Sequence, residues 1–328
     1  MRTQNESAYS NPDPAADSQS AALVAQHLPY MVATYARPPP VFVKGDGCYL
    51  FDIENNRYVD FTAGIAVNGL GHNDVRMNQL MVAQAQQLIH VSNLYHNPWT
   101  GELSQLLVER TKASGGFHNA ARVFICNSGS EANEAAIKFA RKVGKTVGGD
   151  KKIGVVSFQG SFHGRTMGSL SATPNPKYQK PFGPMVPGFT YGKFNDVEGI
   201  DALVTEETCG VIVEPIQGEG GVWIGSEEFL TKLRARCTEV GAVLIYDEIQ
   251  VSNPRHMARH FEHTLTRTVR NRTYRRALGP PGPPQGGAPR HCHHGQGSGQ
   301  RLPHWSHDGE RVGGREDCHW RPRHHLWR

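Results

Sequence analysis

The sequence lacks two features that mark common classes of protein. No apolar run approaches the roughly 20 residues that a helix needs to cross a bilayer. The six cysteines form no C-x-x-C pair and lie far apart, so neither a disulfide framework nor a standard zinc module is indicated. We therefore expect reduced thiols in an intracellular compartment and no membrane segment.

The beginning of the chain lacks the composition of a presequence. Residues 1–20 are rich in Ser, Asn, Ala and Pro, and three acidic residues accompany a single Arg. This composition predicts disorder. It does not fit a mitochondrial presequence, which is rich in Arg and poor in acids. We expect a disordered leader over residues 1–27.

The end of the chain lacks lysine and isoleucine altogether. Residues 251–328 hold 14 Arg, 5 acidic residues and 11 of the 17 His, so this segment carries +9 and residues 1–250 carry −4. Its apolar content is too low to offset chain entropy, which predicts a disordered basic tail. Two alternatives are nucleic-acid binding through the arginines and a zinc site, whose candidate ligands match no standard spacing. Those candidates are Cys292, His293, His294, Cys318 and His319. We favour neither, and expect no metal and no nucleic-acid partner.

The most informative stretch present is C-N-S-G-S-E-A-N-E-A-A-I-K-F-A-R, from Cys126 to Arg141. Val123–Cys126 has strand character, and the alanines that follow recur at helical spacing. Gly129 allows a ligand to approach the backbone closely, and Ser130 is a candidate N-cap. The N–H groups of such a first turn form a seat for phosphate. The alternative is an ordinary strand, turn and capped helix.

The middle of the chain alternates apolar strands with helices, which predicts a parallel sheet covered on both faces. The expected strands are Ile153–Phe158, Gly210–Val213 and Ala242–Tyr246, and the expected helix is Glu227–Val240. The part of the chain before them predicts three further features. These are a hairpin over Tyr49–Phe61, a tight loop or plain connector over Thr62–His72, and two helices within 75–113 broken near Asn97-Pro98.

Polar clusters follow the expected strands, and ligands of parallel sheets bind beyond the carboxyl ends of the strands. The four clusters are Asn127–Ser130, Ser161–Thr166, Glu214–Glu219 and Asp247–Gln250. We expect their side chains to converge on one site.

Two clusters offer groups for a ring and for a carboxylate. Phe162 is suited to cover a planar cofactor, with a core phenylalanine as the alternative. Arg165 is suited to bind a substrate carboxylate, with a surface salt bridge as the alternative. Glu214 and Glu219 could hold an arginine or the amine of a substrate.

The last cluster offers a buried anion. Asp247 ends an apolar strand, so its carboxylate needs a cationic partner, and a protonated pyridine nitrogen is one. Gln250 could donate a hydrogen bond to a phenolic oxygen on the same ring.

Four motifs in this order and spacing resemble the class III pyridoxal-phosphate aminotransferases: N-S-G-S-E-A-N-E-A-A, F-H-G-R-T, V-E-P-I-Q-G-E-G-G-V and Y-D-E-I-Q. Within that family, D-F-T-A-G-I-A-V-N-G-L-G-H and S-N-L-Y-H-N are similar to the acetylornithine aminotransferases, most of all the fungal ones. The resemblance covers roughly Leu28 to Gln250. It implies an α/β fold, a fold-type-I transferase that forms a homodimer with active sites at the subunit interface.

The resemblance also implies domains and residue roles. Residues 28–80 would belong to the small domain and 81–250 to a partial cofactor-binding large domain, with the C-terminal domain missing. The implied cofactor is pyridoxal 5'-phosphate. For the cofactor, the resemblance implies that Gly129 and Ser130 bind the phosphate and that Phe162 stacks on the ring. It also implies that Asp247 pairs with the pyridine nitrogen and that Gln250 contacts the ring oxygen. For the substrate, it implies that Arg165 binds the carboxylate and that Glu219 is a gate near the substrate.

The implied reaction transfers an amino group between N-acetylornithine and 2-oxoglutarate in arginine biosynthesis. Ornithine and 4-aminobutyrate transamination are alternatives within the same chemistry, and a non-catalytic pseudoenzyme is an alternative of another class. The fungal resemblance implies the mitochondrial matrix. The composition of the leader does not support that location, and leaves the cytoplasm as the alternative.

The resemblance stops at Gln250, where the family continues with C-G-x-G-R-T-G and then the lysine that forms the Schiff base. The eleven lysines of this chain all precede the Asp247 strand, in the wrong place to substitute. We therefore expect the chain as written not to catalyse transamination, because that lysine is absent. We also expect Asp247 to be a buried carboxylate with a poorly held partner.

The tail has the properties of a shifted reading frame. Codons for Gln250-Val251-Ser252 are compatible with an exon end followed by an intron donor. Reading residues 269–328 one nucleotide later permits C-G-I-G-R-T-G-A-L-W-A, T-M-A-K-A-L-G-N-G-F-P-I-G and G-D-H-G-T-T-F-G-G, in the order of the family. We predict that mature transcripts lack most nucleotides between the codons for Gln250 and Val269. Sequencing of the messenger RNA tests this, and retention of those nucleotides in all transcripts would contradict it.

Overall fold

A helix and a three-stranded antiparallel sheet open the described part of the chain, which in the computed structural model comprises residues 13–114 and 119–251. The elements are α1 (Gln19–His27), β1 (Phe42–Asp46), β2 (Tyr49–Asp52) and β3 (Arg57–Val59), with a 3-10 turn at Leu28–Tyr30. Strands β2 and β3 pair as an antiparallel hairpin. Its turn includes Asn55 at a φ of 64°, a left-handed conformation that asparagine tolerates. The predicted hairpin is confirmed.

Helix α1 lies inside the segment that was expected to be a disordered leader. Buried Ser20 donates from its Oγ to Glu54 Oε2 and from its N–H to Glu54 Oε1, both at 2.7 Å. Ser20 Oγ also accepts the N–H of Val41 at 3.2 Å. The turn between β2 and β3 thus supplies acceptors that order residues 19–27. The first twelve residues lie outside the described part.

The loop after β3 is as tight as its glycines predict. A short left-handed turn, α2 (Ala63–Ala66), includes Gly64 at a φ of 61° and Ile65 at 59°. Asp60 holds this turn, because its Oδ1 accepts the N–H of Ala63 at 2.8 Å. His72 Nε2 lies 2.7 Å from Asp60 Oδ2, and this hydrogen bond lowers the pKa of Asp60 to about 2.

The next two helices confirm the predicted break. They are α3 (Val75–Ala85) and α4 (Pro98–Ala113). The carboxylate of Asp74 caps α3 by accepting the N–H of Met77 at 3.0 Å, and the amide oxygen of Asn97 caps α4 by accepting the N–H of Thr100 at 2.9 Å. Side-chain caps of this kind satisfy backbone donors that have no partner inside the helix.

The remaining elements build the larger sheet and its covering helices. They are α5 (Gly129–Gly148), β4 (Gly154–Phe158), α6 (Met167–Ser171), α7 (Pro176–Gln179), a 3-10 turn at Lys180–Phe182, β5 (Phe189–Gly192), α8 (Ile200–Leu203), β6 (Thr208–Val213), β7 (Ile216–Gln217), β8 (Trp223–Ile224), α9 (Glu227–Glu239) and β9 (Val243–Tyr246).

Four parallel strands form this sheet in the order β5-β4-β6-β9. Val156, Val211 and Leu244 lie side by side in its centre. The predicted parallel sheet is confirmed, and so are the three strands and the helix that the apolar pattern predicted. Strand β5 was not predicted, because its sequence F-T-Y-G is short and mostly not apolar.

Both faces of the sheet are covered, which explains the near-continuous apolar strands. One face packs on α9, and its buried residues include Phe158, Val213, Tyr246, Phe229 and Leu233. The other face packs on α5, and its buried residues include Val155, Ile212, Ile245, Ala136 and Ala140. Alternate residues of each strand serve the two layers.

The strand expected at Val123–Cys126 does not form. Phe124 and Ile125 are 55% and 39% exposed, and Phe124 packs edge to face on Phe139 of α5 with ring centroids 6.2 Å apart. A strand needs a neighbour for its N–H and C=O groups. No described residue provides one here, and β9 likewise has β6 as its one strand neighbour in the described part.

Lys152 is a buried lysine at the end of the sheet opposite the four polar clusters. Lys152 precedes β4 in the chain and is 3% exposed. Its Nζ donates to the carbonyl oxygens of Glu206 at 2.8 Å and Val240 at 2.6 Å. The ammonium thus joins the start of β6 to the end of α9 and does not approach the polar clusters.

We predict that Lys152→Met lowers the free energy of unfolding by about 1–3 kcal/mol, because two carbonyl oxygens lose their donor. Urea denaturation measures the change. The matched control is Lys151→Met at the exposed neighbour, which we expect to change stability by less than about 0.5 kcal/mol. Equal stabilities of the two variants would contradict the role of Lys152.

Candidate functional site

The N-terminus of α5 is built as a capping box. Ser128 Oγ accepts the N–H of Glu131 at 3.2 Å, and Glu131 Oε2 accepts the N–H of Asn127 at 2.8 Å. Ser128 is therefore the N-cap, because its Oγ accepts the N–H of the residue three positions later. The prediction of Ser130 as the N-cap was wrong. Gly129 and Ser130 lie in the first turn, and their N–H groups have no acceptor among the described residues. They remain available to an anion.

Close backbone approaches bring the loops after β4 and β9 against this turn. A Cβ placed on Gly129 would lie 2.8 Å from Ile249 Cδ1, so a larger residue there would displace the side chain of Ile249. Gly164 has a φ of 130°, and a Cβ there would collide with Ser130 Oγ. The phosphate seat predicted from the sequence therefore lies beside both loops.

Asp247 is the buried anion of this site, at 5% exposure. Its Oδ2 accepts from Asn133 Nδ2 and contacts His163 Nδ1, both at 2.8 Å, and its Oδ1 accepts the N–H of Ile249 at 3.0 Å. The predicted burial is confirmed. Asn133 and His163 hold the carboxylate from within the protein, and the expectation of a poorly held partner stays a prediction. A carboxylate accepts about four hydrogen bonds, so one position remains.

His163 is itself fixed on three sides. Its N–H donates to Thr173 Oγ1 at 2.9 Å, its carbonyl oxygen accepts from Asn133 Nδ2 at 2.7 Å, and its ring contacts Asp247. The ring is 2% exposed, and Nε2 has no hydrogen-bond partner in the described part. His163 and Asn133 were not predicted from the sequence to have a role. The available signal was that Asn133 stands one helical turn after Ser130.

Glu214 accepts hydrogen bonds from the backbone at two points. Its Oε1 accepts the N–H of Phe162 at 2.8 Å, and its Oε2 accepts the N–H of Gly218 at 3.1 Å. The side chain is buried, and burial raises the pKa of its carboxyl group. Neither an arginine nor an amine meets Glu214 within the described residues. The residue positions the ring of Phe162 and the loop that carries Glu219.

Four residues form what we call the arginine cluster: Phe162, Arg165, Tyr178 and Glu219. The guanidinium carbon of Arg165 lies 3.6 Å from the ring centroid of Tyr178 and 5.3 Å from that of Phe162. Tyr178 donates its hydroxyl hydrogen to Glu219 Oε1 at 2.9 Å. The N–H of Arg165 donates to Ser130 Oγ at 3.4 Å, which links the cluster to α5. Tyr178 is a member that the sequence analysis missed.

Gln250 stands at the rim of the site. Its side chain is exposed, and its Cβ would lie 3.5 Å from a Cβ placed on Gly218. The segment after β9 therefore meets the Glu214–Glu219 loop. Contact of Gln250 with a ring oxygen stays a prediction.

Other site types find no support in residues 13–114 and 119–251. No three His, Cys, Asp or Glu side chains there are grouped to hold a metal, and the four cysteines of that part are free. No helix there has the length and apolarity to cross a membrane. The zinc and nucleic-acid alternatives concern the tail, which lies outside the described residues.

The comparison with protein families matches residues 30–255 to the class III aminotransferases. A mitochondrial acetylornithine aminotransferase of Neurospora crassa is 65% identical over 245 residues, which cover 74% of this chain and 53% of the relative. The acetylornithine aminotransferase of Aquifex aeolicus is 49% identical over 223 residues, covering 68% and 57%. The chain thus spans about half the length of these curated relatives.

Solved structures agree in fold. An ornithine aminotransferase from Toxoplasma gondii has a TM-score of 0.66 at 28% identity, covering 74% of this chain and 58% of that one. An N-acetylornithine aminotransferase from Stenotrophomonas maltophilia has a TM-score of 0.55 at 36% identity, covering 69% and 54%. The α/β fold expected from the motifs is confirmed.

We predict that Asn133→Ala lowers the free energy of unfolding by about 1.5–3 kcal/mol, because the buried carboxylate of Asp247 and the carbonyl of His163 both lose a donor. Urea denaturation measures the change. Lys138→Ala on the exposed face of the same helix is the control for a loss of side-chain bulk. An Asn133→Ala variant as stable as Lys138→Ala would show that Asp247 does not depend on Asn133.

Proposed function

The chain belongs to the class III aminotransferase family, and we propose that it carries part of an enzyme that transfers an amino group between N-acetylornithine and 2-oxoglutarate. The observation that carries this proposal is the buried carboxylate of Asp247 beside the free N–H groups at the start of α5. The substrate is inferred from the 65% identity to a relative named acetylornithine aminotransferase. Ornithine or 4-aminobutyrate is the alternative donor, and an ornithine aminotransferase is the less similar relative at 28% identity.

Pyridoxal 5'-phosphate is the cofactor of this family, and the residues present fit it. Its phosphate suits the N–H groups of Gly129 and Ser130, which lack acceptors in the described part. Its protonated ring nitrogen suits the remaining acceptor position of Asp247. When bound, the cofactor withdraws electrons from the carbon that loses its proton.

Four side chains of the described part are proposed to bind and orient the cofactor and the substrate. Asp247 is held in place by His163 and Asn133, so its anion stabilises a proton on a ring nitrogen. The half-buried ring of Phe162 covers one face of a planar ligand and excludes water there. Arg165 offers its guanidinium to a carboxylate, since it makes no ion pair within the described residues. Glu219 contacts Tyr178 as Arg165 does, which supports its proposed role as a gate near the substrate.

The chain by itself is proposed to be inactive. The proposal rests on the lysine that binds the cofactor covalently in the family, which we expect to be missing here, and the buried Lys152 of the described part lies at the far end of the sheet. A non-catalytic subunit that binds cofactor, or that pairs with an intact subunit, is the second candidate. Its support is that Asn133 and His163 both contact the carboxylate of Asp247, which gives the anion partners within the protein.

Assembly and location belong to the same proposal. Large apolar side chains are at least 75% exposed in the first hundred residues, as at the surface of a subunit that pairs with a second copy. They are Tyr30, Val32, Phe61, Ile65, Ile89 and Leu94. We propose a homodimer. The Neurospora crassa relative is named mitochondrial, which supports the mitochondrial matrix over the cytoplasm.

The spectrum of the purified full chain with pyridoxal 5'-phosphate tests the proposal. We expect weak binding that Asp247→Ala reduces by at least about tenfold, since the paired charge is lost. Borohydride is expected to leave no adduct at a single lysine, and no turnover is expected. Turnover together with one labelled lysine would contradict the inactive assignment.

Substrate choice requires a complete enzyme. Residues 1–250 fused to the C-terminal part of the Neurospora crassa relative would supply the missing lysine. We expect kcat/KM to be higher for N-acetylornithine than for ornithine or 4-aminobutyrate. A preference for either of these amines would contradict the substrate and leave the family unchanged.

A further inference from the structure

The arginine cluster holds two opposite charges that do not pair with each other. Arg165 and Glu219 are both exposed, and both contact Tyr178, one through the face of the ring and the other through the hydroxyl. No ion pair joins them within the described part of the chain. Exposed pairs of this kind form readily in proteins, at a gain of about 0–1 kcal/mol. Arg165 and Glu219 instead share one contact, Tyr178.

Tyr178 is placed to keep the charges of Arg165 and Glu219 apart. Its ring lies against the guanidinium, with 3.6 Å between the centroid and the guanidinium carbon. Its hydroxyl donates to Glu219 Oε1 at 2.9 Å and so holds one oxygen of that carboxylate. The ring of Phe162 is a second contact of the guanidinium, with 5.3 Å between its centroid and the guanidinium carbon.

The position of Tyr178 is itself secured by the short helix α7. Asn175 caps this helix by accepting the N–H of Lys177 at 3.1 Å. Gln179, next to Tyr178, donates to the carbonyl oxygens of Leu170 at 3.1 Å and Thr173 at 2.9 Å. Since Thr173 also accepts the N–H of His163, α7 is tied to the loop that carries Arg165.

We propose that Tyr178 is a positioning residue that keeps Arg165 free for the substrate carboxylate by preventing its pairing with Glu219. This inference rests on the proposed function, because that function supplies the carboxylate. The hydroxyl of Tyr178 engages Glu219, and the ring supports Arg165. Loss of the hydroxyl alone lets Glu219 swing onto the guanidinium and compete with the substrate.

The test uses the full chain and glutarate, a dicarboxylate probe of the size of 2-oxoglutarate. Arginine labelled with ¹⁵N reports the Nε–H resonance of Arg165, assigned with Arg165→Lys, and a titration gives the Kd. We expect Tyr178→Phe to raise the Kd for glutarate about fivefold, and Tyr178→Leu to raise it about tenfold because the stacking is also lost.

A double variant separates positioning from a general structural effect. In Glu219→Gln the competing charge is gone, so Tyr178→Phe in that background is expected to change the Kd by less than about twofold. Tyr58→Phe is the matched control. It removes a tyrosine hydroxyl outside the arginine cluster, one that donates to Asp52 Oδ2 at 2.8 Å, and should leave glutarate binding unchanged.

The resonance of Arg165 gives a readout without any ligand. In Tyr178→Phe we expect the Nε–H signal to move downfield as Glu219 pairs with it, and in the double variant we expect it to stay in place. An unchanged signal and Kd in Tyr178→Phe would overturn the inference. Glutarate binding that is absent, or unaffected by Arg165→Ala, would overturn the carboxylate site of the proposed function, while the ligand-free signal still decides the role of Tyr178.

Discussion

The buried carboxylate of Asp247 is the constraint on which the site depends. An anion removed from water is costly unless donors surround it. The chain supplies those donors from Asn133 on α5, His163 on the loop after β4 and the N–H of Ile249. Three segments that are distant in sequence are thereby brought to one point beyond the strand ends. Gly129 follows from the same constraint, because the residues after β9 must pass directly over the first turn of α5.

The loop after β4 is held at several points between the buried carboxylate and the surface. Glu214 holds the backbone of Phe162, Asp247 holds His163, and Ser130 Oγ accepts the N–H of Arg165. The ring of Phe162, the histidine that contacts the buried anion and the guanidinium of Arg165 therefore lie on one short segment. Enzymes that position a planar cofactor against a substrate need this kind of rigid relation between the two binding groups.

The apolar pattern of a segment predicts its burial, but it does not predict whether another strand is available to pair with it. The apolar pattern predicted β4, β6, β9 and α9, because each is buried on a face that its own sequence reveals. The same pattern failed for Val123–Cys126, which is as apolar as a strand but has no neighbour in the described part to pair with. Strand formation requires a partner, and a partner is not a property of the segment.

The sequence by itself determined the family motifs, the parallel sheet and the burial of Asp247, since an aspartate at the end of an apolar strand cannot avoid the interior. It also indicated a phosphate seat at Gly129 and Ser130, because helix starts have a local signature. Only the tertiary structure decided the partners: His163 for Asp247, Tyr178 for Arg165, and the backbone of Phe162 for Glu214. Hydrogen bonds and ring contacts depend on side-chain directions in space, and these are fixed when distant segments pack together and not by the spacing of residues along the chain.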